Sequence, residues 1–198
     1  MHNMVLYPST ARPINVMDFI YKRMIQDSIQ RDIPIAMAFL EDPYVKERVV
    51  FGQRIGSVRE VAGIGKPHIV EERPDGSLLV LVQGQGKVHL KEAIKTNEPY
   101  IVCEADIIEE NHVLKPELIP IYEQVKNILN GWVQKNILDS HKQQVFSNSI
   151  QGPEEVVGVF ASFLMSDYDM QHLILESNDI NEKVELVYRL VQSQGLVY

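Results

Sequence analysis

The hydrophobic periodicity of this 198-residue chain changes once, close to Asn111. Before that point, apolar residues alternate with polar ones, and a period of two is typical of β-strands. After it, apolar residues recur every three or four positions, which is the period of an α-helix. A chain that places its strands first and its helices afterwards folds as an α+β protein. We therefore predict a β-rich domain over residues 1–111 and a helical domain or extension over residues 112–198.

Local signals predict the first elements of the β-rich part. The apolar run Met4–Tyr7 is predicted as a first strand. Asp18 is a suitable N-cap for one early helix, which the spacing of its apolar residues extends over residues 19–30. The uncharged stretch 33–40 is too short for a typical helix and is predicted as a buried strand. The dipeptide Asp75-Gly76 predicts a hairpin with a type I′ turn, because both central positions of that turn need a positive φ.

Beyond this turn the sequence predicts two strands, residues 78–82 and 88–94, separated by Gly84-Gln85-Gly86. Paired glycines inside a sheet indicate a bulge or a tight bend. Polar side chains alternate with the apolar ones at the start of the second strand. They are predicted to lie on a solvated face, and they are Lys87, His89 and Lys91.

Residues 100–108 predict another strand, because apolar residues occupy every second position. Cys103 shares its predicted buried face with Ile101, Ala105 and Ile107. No electropositive residue adjoins Cys103 in the sequence, so we interpret it as a small buried hydrophobe rather than a nucleophile.

The helical part carries start signals in addition to its apolar stripes. Pro153 is suited to the first position of a helix. Asp179 is followed at capping-box spacing by Glu182, which predicts the start of a last helix. We expect these helices to pack through apolar residues that recur at helical spacing.

Residues that could carry catalysis form no recognisable constellation. The stretch Gly63–Pro67 contains glycines and a lysine but lacks the spacer and the Ser or Thr of a phosphate-binding loop. No two of the six histidines have the helical spacing of a metal-binding pair. We therefore predict no catalytic residues, no metal site, no cofactor and no enzymatic activity.

The net charge of the chain disfavours some classes of binding partner. The chain has 27 acidic and 19 basic residues, a formal net charge of -8. Nucleic-acid backbones and anionic lipids repel such a chain. With one cysteine, no signal-peptide pattern and no long apolar run, we expect a soluble cytoplasmic protein that does not bind membranes.

Three groups of motifs occur in a fixed order along the chain. They run from Val5-Leu6-Tyr7-Pro8 to Tyr21–Ile25, from Ile55-Gly56-Ser57-Val58 through Pro74-Asp75-Gly76 to Val80–Gly84, and from Pro99-Tyr100 to Ala105-Asp106. Together they resemble the N-terminal, substrate-binding domain of the ATP-dependent Lon proteases. The resemblance implies a PUA-like, β-barrel-like unit with a helical extension that recognises polypeptides. Because no ATPase or protease module is present in the sequence, the chain looks like a free-standing member of that family.

The start of the early helix departs from the family's pattern. Where the family usually has proline and arginine, this chain has Phe19 and Ile20. Two alternatives are open: both residues pack under a neighbouring loop, or they form an apolar patch that binds a polypeptide or a second copy.

The resemblance therefore implies a non-catalytic module that recognises polypeptide clients or a protease partner, linked to proteolysis or protein quality control. Self-association into a homo-oligomer is a further expectation. The alternative is a nucleic-acid-binding protein, because PUA-like folds include RNA readers. The acidic net charge disfavours that alternative.

Overall fold

The structure is a computed structural model that describes residues 4–41 and 49–194. The chain divides into two compact units, Met1–Ile108 and Glu109–Tyr198. The strands and one early helix lie in the first unit, and the second unit is helical, which confirms the predicted α+β class. None of the helices in the described ranges combines the length and hydropathy that a bilayer-crossing helix needs.

The first unit is built on an antiparallel sheet. Its elements are β1 (Ala11–Val16), α1 (Phe19–Arg31), β2 (Ile35–Met37), β3 (Val61–Glu72), β4 (Leu78–Ile94) and β5 (Val102–Ile107). The strand order is β1–β4–β3–β2, and β5 also pairs with β4. The strands β1 and β5 pair with successive segments of β4, so the long strand β4 organises the sheet.

The two strands predicted after the turn form one continuous strand, β4. Gly65 pairs with Gly84 and Ile64 with Gly86, which leaves Gln85 as an extra residue and confirms the predicted bulge. A bulge shifts the alternation of side chains by one position. The solvated position predicted for Lys87 is wrong: Lys87 has 0% of its surface exposed and pairs with Gly63, the position that the N-terminal segment crosses at Leu6. The next polar residue of the strand, His89, is exposed as predicted.

The predicted first strand, Met4–Tyr7, is also wrong, because these residues cross over the sheet instead of pairing along it. A Cβ atom on Gly63 would lie 1.8 Å from the carbonyl oxygen of Leu6, and one on Gly84 would lie 2.0 Å from that of Tyr7. Only glycine permits backbones to approach so closely. These glycines therefore leave room for the N-terminal segment to cross the sheet.

The hairpin between β3 and β4 is confirmed, but its turn is not of type I′. Only Gly76 has a positive φ, of 78°. Its N–H donates to the carbonyl of Arg73 at 2.8 Å. The ring of Pro74 fixes a negative φ that suits the second position of such a turn. Hydrogen bonds from the Ser77 hydroxyl and N–H hold the pKa of the Asp75 carboxyl below its ordinary value.

Among the described residues, two apolar clusters contribute to the core of the first unit. The larger one lies under α1, which contributes Ile25, and includes Leu6, Ile14, Val16, Ile35, Leu78, Val80 and Val82. The smaller one contains Val58, Ala62, Val88 and Leu90. Because of the bulge at Gln85, the β4 residues of the two clusters lie on opposite faces of the strand.

Two tyrosines of this unit make its stability sensitive to alkaline pH. Burial raises the pKa of Tyr7, and burial together with a hydrogen bond to Asp27 raises the pKa of Tyr100. A raised pKa means that folding favours the neutral phenol. The resulting stability is complete below the ordinary tyrosine pKa of about 10 and is lost as the pH rises towards the folded-state values. We expect the midpoint of urea unfolding to fall as the pH rises above about 10, and to fall less steeply in the Tyr7→Phe variant. Identical pH dependence of the midpoint in the two proteins would contradict this expectation.

The second unit consists of a short 3₁₀ helix followed by five α-helices in the described residues. They are Pro116–Leu118, then α2 (Ile119–Asn136), α3 (Ser140–Ser149), α4 (Pro153–Leu164), α5 (Tyr168–Glu176) and α6 (Ile180–Gln194). Pro153 begins α4 as predicted, and the Glu155 carboxylate accepts a hydrogen bond from the Gly152 N–H at 2.9 Å. Asp179 precedes α6 and accepts from the Asn181 N–H at 2.8 Å.

A charged side chain lies inside this helical unit. Lys183 on α6 is 1% exposed and forms ion pairs with Glu110 and Glu154. Both glutamates are themselves largely buried. A buried ammonium group is tolerated only when carboxylates of this kind compensate its charge.

Candidate functional site

The first turn of α1 presents apolar side chains to solvent. Asp18 is the N-cap, and its carboxylate accepts a hydrogen bond from the Ile20 N–H at 2.7 Å. Phe19 is 76% exposed and Ile20 is 40% exposed. The structure thus places both residues at the surface rather than under a loop. Together with the exposed Met17 and Tyr21, they form what we call the α1 patch.

The position of the patch follows from how α1 packs. Ile25, two turns into the helix, is fully buried in the larger cluster, and Met24 packs against it. The first turn extends beyond this cluster and lies beside the β3–β4 turn, where the Lys22 Nζ is 3.8 Å from the position of a Cβ on Gly76. The apolar residues of the first turn therefore project past the core that anchors the rest of α1.

Side-chain hydrogen bonds hold α1 to the segment of the chain that precedes β5. Asp27 is buried, and its Oδ2 accepts hydrogen bonds from the Arg23 Nε and from the Tyr100 hydroxyl, each at 2.9 Å. One turn later, the Arg31 Nη2 donates to the Glu98 carboxylate at 2.6 Å, and this bond raises the pKa of Arg31. Because these bonds tie the helix to a distant segment, the α1 patch is presented on a fixed element.

The strand β5 carries a second exposed apolar surface, which corrects the predicted burial. Ile107 is 79% exposed, Ala105 is exposed as well, and Ile101, the residue before the strand, is 52% exposed. Cys103 is only partly buried. This partial burial raises the pKa of the Cys103 thiol and favours its neutral form. Alternation did identify one face of a strand, but β5 lies at the edge of the sheet, and no described element of the first unit covers that face.

Sequence reasoning identified Phe19 and Ile20 but missed Met17 and Tyr21. Their exposure depends on where the core ends beneath α1, which hydrophobic spacing does not reveal.

The α1 patch and the β5 surface can both bind a ligand through apolar contacts. Within residues 4–41 and 49–194, no three His, Cys, Asp or Glu side chains come together in a way that could hold a metal ion.

Comparison with known proteins identifies sequence relatives. The family model for the ATP-dependent protease La (LON) substrate-binding domain matches residues 1–193. The "Lon protease" of Buchnera aphidicola subsp. Acyrthosiphon pisum is 19% identical over 98% of this chain, and that of Escherichia coli K12 is 20% identical over 98%. The chain spans about a quarter of the length of these relatives, 24% in both cases.

Solved structures share the fold at low sequence identity. The N-terminal domain of the Mycobacterium avium complex Lon protease has a TM-score of 0.70 and 14% identity, with 96% of this chain and 94% of that chain covered. A Lon N-terminal domain protein from Xanthomonas campestris has a TM-score of 0.66 and 14% identity at the same coverage. The likeness supports the arrangement of sheet and helices described above.

Proposed function

The chain belongs to the ATP-dependent protease La (LON) substrate-binding domain family, and on that premise we propose that it is a non-catalytic polypeptide-recognition module. The observation that carries the proposal is the α1 patch, in which Phe19 and Ile20 are exposed on a helix that is otherwise anchored in the core. The proposed ligand is an unfolded polypeptide segment that exposes apolar side chains.

The physical basis is the burial of apolar surface. Each Å² of apolar surface removed from water contributes about 25 cal/mol. A folded protein has already buried most of its large apolar side chains, whereas an unfolded one offers them to the patch. Asp18, Lys22 and Arg23 give the patch a polar rim of mixed charge. Such a rim favours no single charge on the client, so the recognition is of apolar character.

The proposed cellular context is the delivery of clients for proteolysis or quality control, with a separate ATP-dependent protease as partner. Since the relatives are whole proteases and the matched region is their substrate-binding domain, this chain would select clients while the partner performs unfolding and cleavage. We place this activity in the cytoplasm. Self-association through the α1 patch would compete with client binding.

A double variant, Phe19→Pro with Ile20→Arg, tests the role of the α1 patch. Proline fits the first helical position because Asp18 already has an extended backbone, with φ -69° and ψ 137°. Arginine at position 20 retains the N–H that donates to Asp18. We expect an unchanged melting temperature and weaker binding of fluorescently labelled unfolded casein, by roughly 1–3 kcal/mol, the range for loss of an apolar anchor.

The matched control is Leu138→Arg, which removes an exposed apolar residue, 93% exposed, in the second unit. This variant should bind casein as tightly as the unaltered chain. Equal binding by all three proteins would refute the role of the α1 patch, and a large loss of stability in the double variant would show that its residues are structural.

A further inference from the structure

We propose that the outer edge of β5 is a second binding surface, which takes an extended polypeptide strand whose residues alternate between apolar and basic side chains. This inference rests on the proposed function, because it names a class of polypeptide that the module recognises.

The first observation is an open sheet edge. β5 pairs with β4 on one side, with Val88 opposite Ile107 and Ile94 opposite Val102. Among the described residues, no strand pairs with its other side. An open edge presents backbone N–H and C=O groups that an incoming strand can use for a new ladder of hydrogen bonds.

The second observation is an apolar row along one face of this edge. Ile107, Ala105 and Cys103 lie opposite Val88, Leu90 and Ala93, all of which are buried. The row therefore extends the apolar face of the smaller core cluster towards solvent. Its last residue, Ile107, is exposed. A strand added to the edge would bury this row with its own apolar residues.

The third observation is the charge on the opposite face, where Glu104 and Asp106 of β5 lie beside His89 and Lys91 of β4. The Lys91 Nζ lies 2.8 Å from the Asp106 carboxylate. Glu104 is exposed and forms no ion pair within the described part of the chain. It lines a shallow, open depression that Glu92 and Lys95 also line.

These features together specify the occupant. Successive residues of a strand face opposite sides of a sheet. A strand with apolar residues at every second position would cover the apolar row, and lysine or arginine at the intervening positions would lie beside Glu104. A second copy of β5 fits less well, because antiparallel pairing of two copies places Glu104 and Asp106 of both strands on one face, where they repel.

The experiment uses fluorescein-labelled decapeptides and the full chain. One peptide alternates valine and lysine, a second alternates valine and glutamate, and a third has the valines and lysines of the first in two blocks. We expect the alternating valine–lysine peptide to bind at least ten-fold more tightly than the other two. On binding, the amides of residues 102–107 should gain protection from hydrogen exchange. Equal affinity for all three peptides, or protection elsewhere only, would overturn the proposal.

Charge reversal provides the matched test. Glu104→Lys alters an exposed side chain, so the fold should be retained, and it should weaken binding of the valine–lysine peptide at least ten-fold. Glu123→Lys makes the same change in charge at an exposed position of the second unit and should leave the affinity unchanged. If both variants lose affinity equally, the peptide is held by net charge and the β5 site is refuted.

The two proposals fail separately. The Phe19→Pro, Ile20→Arg variant should bind the valine–lysine peptide normally while losing affinity for casein. If that variant also loses the peptide, both ligands use the α1 patch and the β5 site is refuted. If the unaltered chain binds casein but not the valine–lysine peptide, the β5 site fails and the proposed function stands. If it binds the peptide with protection of residues 102–107 but not casein, the β5 site stands and the role of the α1 patch fails.

Discussion

Replacing Gly84 by alanine should lower the free energy of unfolding of the first unit by at least about 3 kcal/mol. A Cβ atom at this position would lie 2.0 Å from the Tyr7 carbonyl oxygen and 3.1 Å from that of Thr10. Both neighbours are backbone atoms, so no side-chain rotation relieves the clash. Moving the N-terminal segment would also strain the hydrogen bond from the Gly84 N–H to the Thr10 carbonyl, at 2.7 Å.

The matched control lies two residues further along the same strand. Gly86 has no heavy atom within 4 Å of a Cβ position and has no positive φ. Gly86→Ala should therefore change stability by less than about 1 kcal/mol, and in the stabilising direction, because alanine restricts the unfolded chain. The measurement is urea unfolding followed by circular dichroism. Equal stability of the two variants would show that the N-terminal segment does not cross the sheet at Gly84.

Replacing Lys183 by alanine should destabilise the second unit by about 3–5 kcal/mol, the cost of breaking a buried ion pair by removing one partner. The variant leaves Glu110, 5% exposed, and Glu154, 16% exposed, without the ammonium group that compensates them. Trp132 is the only tryptophan of the chain and packs against Phe163 in this unit. Its fluorescence therefore reports the unfolding of the second unit in urea.

Two further variants distinguish lost charge compensation from lost packing. Combining Lys183→Met with Glu110→Met should recover part of the lost stability, because an apolar pair can replace a buried ion pair at little cost. Arg189→Ala removes an exposed i,i+4 partner of Glu185 and should change stability by no more than about 0.5 kcal/mol. A Lys183→Ala variant as stable as Arg189→Ala would contradict the buried position of the ammonium group.

The sequence patterns predicted the class of fold and the early helix because these depend on local periodicity and capping. Asp18 and the apolar spacing behind it are sufficient to start α1. The errors arose where distant residues decide the outcome. The burial of Lys87 depends on the N-terminal segment, which crosses its partner Gly63, and the path of residues 4–7 depends on glycines in β3 and β4.

The candidate surfaces were predictable only in part. The difference from the family's pattern at Phe19 and Ile20 indicated the start of α1 as a candidate surface. The exposure of these two residues depends on the extent of the core beneath the helix. The alternation around Cys103 identified an apolar face without showing whether anything covers it. An edge strand and a central strand carry the same pattern, so the order of strands in the sheet was the missing information.

The central proposal, recognition of unfolded polypeptide through the α1 patch, is tested most directly by site-specific photo-crosslinking. A benzophenone amino acid replaces Phe19 in one protein and the exposed Leu138 in another. Each protein is irradiated with unfolded casein, and adducts are quantified by mass spectrometry. We predict a casein adduct at position 19 that an excess of unlabelled unfolded protein removes and a folded protein does not, with no adduct at position 138. Equal yields at the two positions, or casein binding without an adduct at position 19, would contradict the proposal.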